Sequence, residues 1–172
     1  MRRLVYLMLI ISTFNVISCR ERSGNKDVKK GINAEQLAEI NRQLLIKDRE
    51  RIVSYIKRKG LDMKETDTGL WISRNDSGTG SIEDGDVVTL KYVCSLLDGT
   101  VVYDSDNNGL MNFEVGRSDI PSGLNQGVKL LGKGSEAVLI MPAYLAYGLV
   151  GDGRKIPARS VLVYRIKVLS VE

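Results

Sequence analysis

The chain has 172 residues, 43% apolar and 27% charged, the proportions of one ordinary globular domain with short appendages. The formal charge of +4 sets 25 Lys and Arg against 21 Asp and Glu; no basic patch with interleaved aromatics occurs, which speaks against a nucleic-acid partner. Histidine is absent, and with it Ser-His and Cys-His nucleophile pairs, HExxH zinc sites and histidine pH switches.

The N-terminus reads as a targeting segment. Arg2-Arg3 precedes a solid apolar run from Leu4 to Ile11, extended through Phe14 to Ile17. Such a helix of fourteen residues would reach about 21 Å at ~1.5 Å each, short of a ~30 Å hydrocarbon core. It fits the apolar region of a signal peptide over residues 1–18. Val16-Ile17-Ser18-Cys19 resembles the lipobox of bacterial lipoproteins. That resemblance implies cleavage before Cys19, acylation of its sulfur and attachment to a membrane at the bacterial cell envelope. Arg20 in place of aspartate points to the outer membrane, facing the periplasm, under the best-known sorting rule. The other reading is a secreted protein with a chance cysteine at its cleavage site. Removal of Arg2 and Arg3 would leave 23 basic against 21 acidic residues, or +2. Residues 19–32 are polar and charged, a flexible tether whose twelve residues from Arg20 to Gly31 reach at most roughly 40 Å. Cys94 is then the sole thiol of the mature chain, expected as a small buried hydrophobe.

Residues 33–60 predict a helix. Asn33 can cap it, with Gln36 in capping-box position, and Leu37, Ile40, Leu44, Ile52 and Ile56 fall near the 3.6-residue period. Lys57, Arg58 and Lys59 suit its C-terminal dipole, and Gly60 stops it. The apolar stripe is narrow and broken at Lys47-Asp48. Three readings stay open: packing back on the domain, an arm that pairs two copies, or an exposed spacer.

From Leu61 onward the period becomes that of strands. Leu70 to Ile72 is a short strand, residues 77–80 a loop, and Glu83 to Asp86 a turn. Val88, Leu90, Tyr92, Cys94 and Leu96 alternate with more polar neighbours, as a half-buried strand does. Asp98-Gly99 is a hairpin signal, with Thr100 to Tyr103 returning. A polar loop from Asp104 to Gly109 and a strand from Met111 to Val115 follow. Leu124, Val128 and Leu131 predict a helix of two to three turns ended by Gly132; Ala137, Leu139 and Met141 predict another strand. The fold class expected is α+β, an antiparallel sheet of five or six strands curled around one short helix. Near the C-terminus, Met141 to Gly148 is an apolar loop with two tyrosines, followed by Ile156-Pro157 and a last strand, Leu162 to Val168.

From Val87 to Val168 this sequence resembles the FKBP-type peptidyl-prolyl isomerases. The matching pieces stand in order: Val88 to Tyr92, Leu97-Asp98-Gly99-Thr100, Tyr103-Asp104-Ser105, Phe113-Glu114-Val115-Gly116, Gly123 to Gly127, Gly132 to Ser135, Leu145-Ala146-Tyr147-Gly148, Ile156-Pro157 and Leu162-Val163-Tyr164. With its lipobox, charged helix and Gly69-Leu70-Trp71 lead-in, the N-terminal portion resembles FKBP lipoproteins of Bacteroidota, some associated with gliding motility. The resemblance implies an isomerase domain over 61–172, acting on proline-containing, unfolded or extended polypeptides without metal or cofactor. It implies catalytic roles for Tyr147, Asp104, Tyr92 and Ile156: the Tyr147 hydroxyl meets a substrate carbonyl, and the Ile156 amide bonds the substrate. It further implies a prolyl pocket lined by Tyr103, Met111, Phe113, Ile120, Pro121, Leu124 and Tyr164. Leu124 stands where the family usually has tryptophan and Met111 where it has an aromatic, which implies reduced activity and weakened macrolide binding. Pro121 sits one place early, and the hairpin carries one extra residue, Val102 or its neighbour. Two alternatives remain: these apolar residues are core alone, with Tyr147 and Asp104 bracing loops, or the domain binds chains as a non-catalytic chaperone module.

Overall fold

The computed structural model describes residues 33–75, 78–117 and 119–172. The signal segment, Cys19 and the tether lie outside them. The elements in order are α1 (Ala34–Lys59), β1 (Lys64–Glu65), β2 (Trp71–Asn75), β3 (Val87–Leu96), β4 (Val101–Asp104), α2 (Ser105–Asn108), β5 (Met111–Glu114), α3 (Ser122–Val128), β6 (Glu136–Met141), a 3-10 turn (Ala143–Leu145) and β7 (Leu162–Val171).

The strands form one seven-stranded sheet ordered β1-β2-β6-β7-β3-β4, with β5 also paired to β3. The pairings are antiparallel. At its centre, β3 and β7 run together from Leu96↔Leu162 to Val88↔Val171. Side chains along a strand point alternately to opposite faces, and β6 and β7 use both. Ala137, Leu139, Met141, Leu162, Tyr164, Ile166 and Val168 join the main core, with Leu124 and Val128 of α3. Ile140, Val161 and Val163 face the other way, onto Ile52 and Tyr55 of α1. The sheet therefore wraps α3 on one face and carries α1 on the other.

Helix α1 ends as its sequence requires. Gly60 has φ +61, Leu61 N–H donates to Ile56 O (3.1 Å) and Gly60 N–H to Lys57 O (3.3 Å), a Schellman closure. Of the three readings for this helix, packing on the domain holds for its second half. Its first half leaves Leu37, Ile40, Leu45 and Ile46 exposed. Asp48, read in the sequence as a break in the stripe, is instead buried beside Ile52.

Other expectations are corrected in detail. The polar loop after Tyr103 holds a single helical turn, α2: Asp104 accepts from the Asn107 amide at its start, and Gly109 closes its end by donating to Ser105 O. Helix α3 starts at Ser122 and stops at Val128, short of Gly132. Leu130 N–H and Leu131 N–H bond back three residues, to Gly127 O and Val128 O, so the chain tightens before it leaves. Two-residue β1, absent from the sequence reading, brings the strand count to seven. The extra hairpin residue is Val102. Cys94 pairs with Tyr103 while Ser95 pairs with Val101, so Val102 is the bulge, its side chain buried.

Candidate active site

The bulge has a consequence for placement. It sets Tyr103 opposite Cys94 on β3, two residues from Tyr92. The register of β7 sets Tyr164 opposite Cys94 on its other side. Tyr92 and Tyr164 lie with ring centroids 6.2 Å apart and tilted by 32°. Strand β5 brings Met111 opposite Leu90 and Phe113 opposite Val88. Helix α3 adds Leu124 from the concave side. Tyr92, Phe113, Leu124, Ile156 and Tyr164 are buried in the main core, and Tyr103, Met111, Ile120 and Tyr147 pack against it half-exposed. The first group is core, and the second is its half-exposed border. Pro121 is buried at the start of α3. It brings no N–H, and its carbonyl accepts from Leu124 N–H (2.9 Å) and Asn125 N–H (3.2 Å).

Tyr147 follows the 3-10 turn. Gly148 N–H donates to Ala143 O (2.8 Å), and Gly148 has φ +62, which turns the chain at once after the tyrosine. Burial is the first cause raising the Tyr147 phenol above its ordinary value; a hydrogen bond with the Tyr164 hydroxyl works the other way. Tyr164, deep in the core, is raised further, again chiefly by burial. Both phenols are protonated at neutral pH, so Tyr147 retains a proton to offer an acceptor. Cys94 lies beneath them, wholly buried, and burial pushes its thiol up to about 12. It is a packing residue, as its sequence suggested.

One expected role does not match the geometry, and a second residue has a local partner. The Ile156 N–H, expected to bond substrate, donates instead to Asp152 Oδ1 (2.8 Å). The buried Ile156 side chain still lines the site. Asp104 points its carboxylate at Asn107, accepting from its backbone N–H (2.8 Å) and from Nδ2 (2.9 and 3.0 Å). Those Asn107 bonds hold Asp104 below the usual carboxylate range. This is the bracing alternative. Asp104 still adds negative charge near Tyr92, whose phenol is raised first by burial, then by Cys94 and Asp104.

Asp152 is the residue that sequence reasoning missed. Its Oδ1 accepts from Arg154 N–H (2.9 Å) and Ile156 N–H, and its Oδ2 takes a short hydrogen bond from the Tyr103 hydroxyl. Asp152 N–H in turn donates to Ile156 O (3.2 Å). One carboxylate thus closes the loop upon itself and pins it to β4. Lys155 Nζ lies 5.3 Å from the centre of the Tyr103 ring. Gly151, φ +73, lets the loop fold this tightly, since a Cβ there would strike the Ile156 carbonyl. The net shift of Asp152 is downward: burial pushes its pKa up, but the bonds from Tyr103, Arg154 and Ile156 outweigh it. The available signal was Gly-Asp-Gly inside a loop that must close.

An antiparallel sheet curled around a short helix, with a cluster of aromatic residues in its core and Tyr147 on the loop beside them, defines a small α+β domain. The profile of the FKBP-type peptidyl-prolyl cis-trans isomerases matches residues 78–169, and the chain belongs to that family. Similar proteins include a probable FkpA isomerase of Neisseria meningitidis, 36% identical over 113 residues, covering 63% of this chain and 40% of that protein. FkpA of Aeromonas hydrophila is 34% identical over 127 residues, covering 73% and 46%. The chain thus spans under half the length of these curated relatives. Among solved structures, AtFKBP13 matches with a TM-score of 0.60 and 27% identity, over 65% of this chain and 100% of that one. FkpA from Escherichia coli matches in fold with a TM-score of 0.62 over 99% of this chain and 81% of that one, at 23% identity.

Proposed function

We propose that this protein accelerates cis–trans isomerisation of X-Pro bonds in exported polypeptides, held at a bacterial envelope by lipid on Cys19. Uncatalysed rotation crosses a barrier of ~18–20 kcal/mol. At the crest the amide has lost its resonance and carries less charge separation than the planar form. An apolar pocket favours that state over water. The observation that carries the reading is the clustering of Tyr92, Phe113, Leu124, Ile156 and Tyr164 in one core, with the half-exposed Tyr147 packed against it. Those side chains would grip the prolyl ring, and the Tyr147 proton would hold a flanking carbonyl. Each ~1.4 kcal/mol of preference for the twisted bond gives tenfold in rate. No proton changes hands.

With the Ile156 amide engaged by Asp152, Tyr147 is the side-chain donor left to orient the chain, and Leu124 and Met111 give a less aromatic pocket. Both support activity below that of family members with aromatic residues there. A protease-coupled or NMR exchange assay on a peptide containing Leu-Pro tests the proposal; a rate equal to the spontaneous one at micromolar protein would sink it. The exposed Leu37, Ile40, Leu45 and Ile46 on the first half of α1 favour an added role, pairing of two copies through this arm. Light scattering on the chain from residue 20 onward would give a dimer mass if so, and a monomer mass if not.

A further inference from the structure

Asp48 is a carboxylate on the buried side of α1, only 4% exposed, and its Oδ1 has no hydrogen-bond partner. Burying such a group is costly unless something offsets its charge. Two guanidinium groups approach it: Arg51 Nη1 at 3.7 Å from the same helix, and Arg159 Nη2 at 3.6 Å from the far end of the active-site loop. Arg159 is the one described non-glycine residue with positive φ, +56. An L-residue there costs about 1–2 kcal/mol. Glycine would avoid that cost, so the guanidinium contact with Asp48 works against a strain in its own backbone.

The backbone of Arg159 closes the loop. Its N–H donates to the carbonyl of Gly148 (3.0 Å), the residue next to Tyr147. Ile156 lies three residues before it. The loop carrying Tyr147 and Ile156 is therefore fixed at its tip by Asp152 and at its base by Arg159. The same carboxylate is felt on the near side of the loop, since Asp48 is among the charges that raise the Tyr144 phenol, after burial and Glu65. Arg51, Leu149, Pro157 and Arg159 line a cleft of about 550 Å³ at this junction.

We infer that Asp48 is a positioning residue for the isomerase site: through Arg159 it makes helix α1 the anchor of the loop that aims Tyr147. This rests on the isomerase reading above. The pair acts on the placement of the loop and touches no substrate.

Asp48→Asn preserves shape and removes the charge. Arg159→Gly preserves the left-handed turn and removes the cation. Arg159→Lys preserves the cation. All three are to be made in the full chain and compared in the peptide isomerisation assay and by amide hydrogen exchange. Asp48→Asn and Arg159→Gly are expected to lower kcat on the order of tenfold with little change in KM, because loosened aim weakens the twisted state more than ground-state binding. Exchange at the Arg159 amide is expected to quicken in both, and Arg159→Lys to stay near wild type. A merely structural pair would lower Tm and leave kcat, KM and the exchange of the folded protein unchanged, and that result in Arg159→Gly alone would overturn the inference. A wild-type chain without activity would sink the isomerase reading, while quickened exchange in the variants would still establish the helix-to-loop link.

Discussion

The two faces of the sheet are built from the same strands to different ends. The concave face holds α3 and a core of twenty-two buried residues, Tyr92 and Tyr164 among them. The opposite face holds α1 on a patch of five. In β6 and β7 consecutive residues serve alternate faces: Leu139 and Tyr164 look inward, Ile140 and Val163 outward. The large core makes the fold, and its aromatic end is the site. The small patch adds a helix, together with a buried charge that a purely apolar contact would not need. What separates the faces is thus the kind of polar group they bury: phenols and a thiol in the main core, and a carboxylate approached by two guanidinium groups under α1.

The broadest way to break this contrast is truncation on each face. Leu139 is wholly buried against α3, and Leu139→Ala should cost about 3–5 kcal/mol by urea unfolding, the upper part of the range for such changes. Ile52→Ala on the smaller patch should cost less, about 2–3 kcal/mol, with α1 losing hydrogen-exchange protection first. Equal costs, or one common loss of protection, would mean that α1 is as much a part of the core as α3.

Next in size are changes at the pocket edge. Tyr147→Phe removes one hydroxyl and keeps the ring, so kcat/KM should fall about tenfold while stability hardly moves. Asp104→Ala should do the reverse. Removing this cap of α2 should lower Tm, and isomerase activity should stay within about twofold. A large loss of activity in folded Asp104→Ala would instead favour the catalytic role that the sequence resemblance implied.

How much was legible follows from which interactions are local. The alternation of Val88 to Leu96, the Asp98-Gly99 turn and the Gly60 stop are written in neighbouring residues, and the strands and helix stand close to where they were expected. The aromatics that the ordered family motifs pointed to do come together in one core. Long-range polar contacts were not. Asp152 meets Tyr103 across 49 positions, and Asp48 meets Arg159 across still more; nothing in local period marks either. The Asp48 side chain even counted against the helix stripe, because a charge on an apolar face reads as an interruption until its distant partner is known. The Ile156 amide failed for a different reason: the carboxylate that takes its N–H is only four residues away, but an irregular loop has no period from which such a bond can be read.

The smallest effect tests the polar side of the contrast. Asp152 and Asp104 both have folded-state values below the usual carboxylate range. A depressed carboxylate stabilises the fold above its unfolded value of about 3.9, and this contribution fades as pH falls through the lower folded value. Stability should therefore decline with acid beginning near pH 4 and continuing below it. Asp152→Asn should flatten part of that decline, since its amide does not titrate. At neutral pH it should also loosen Tyr103 from the loop, and pH-dependent urea unfolding followed by tyrosine fluorescence reads both. Were the acid limb of Asp152→Asn to superpose on wild type, the Tyr103–Asp152 bond would carry no net stability, and the loop would owe its closure to its glycines and to Arg159 alone.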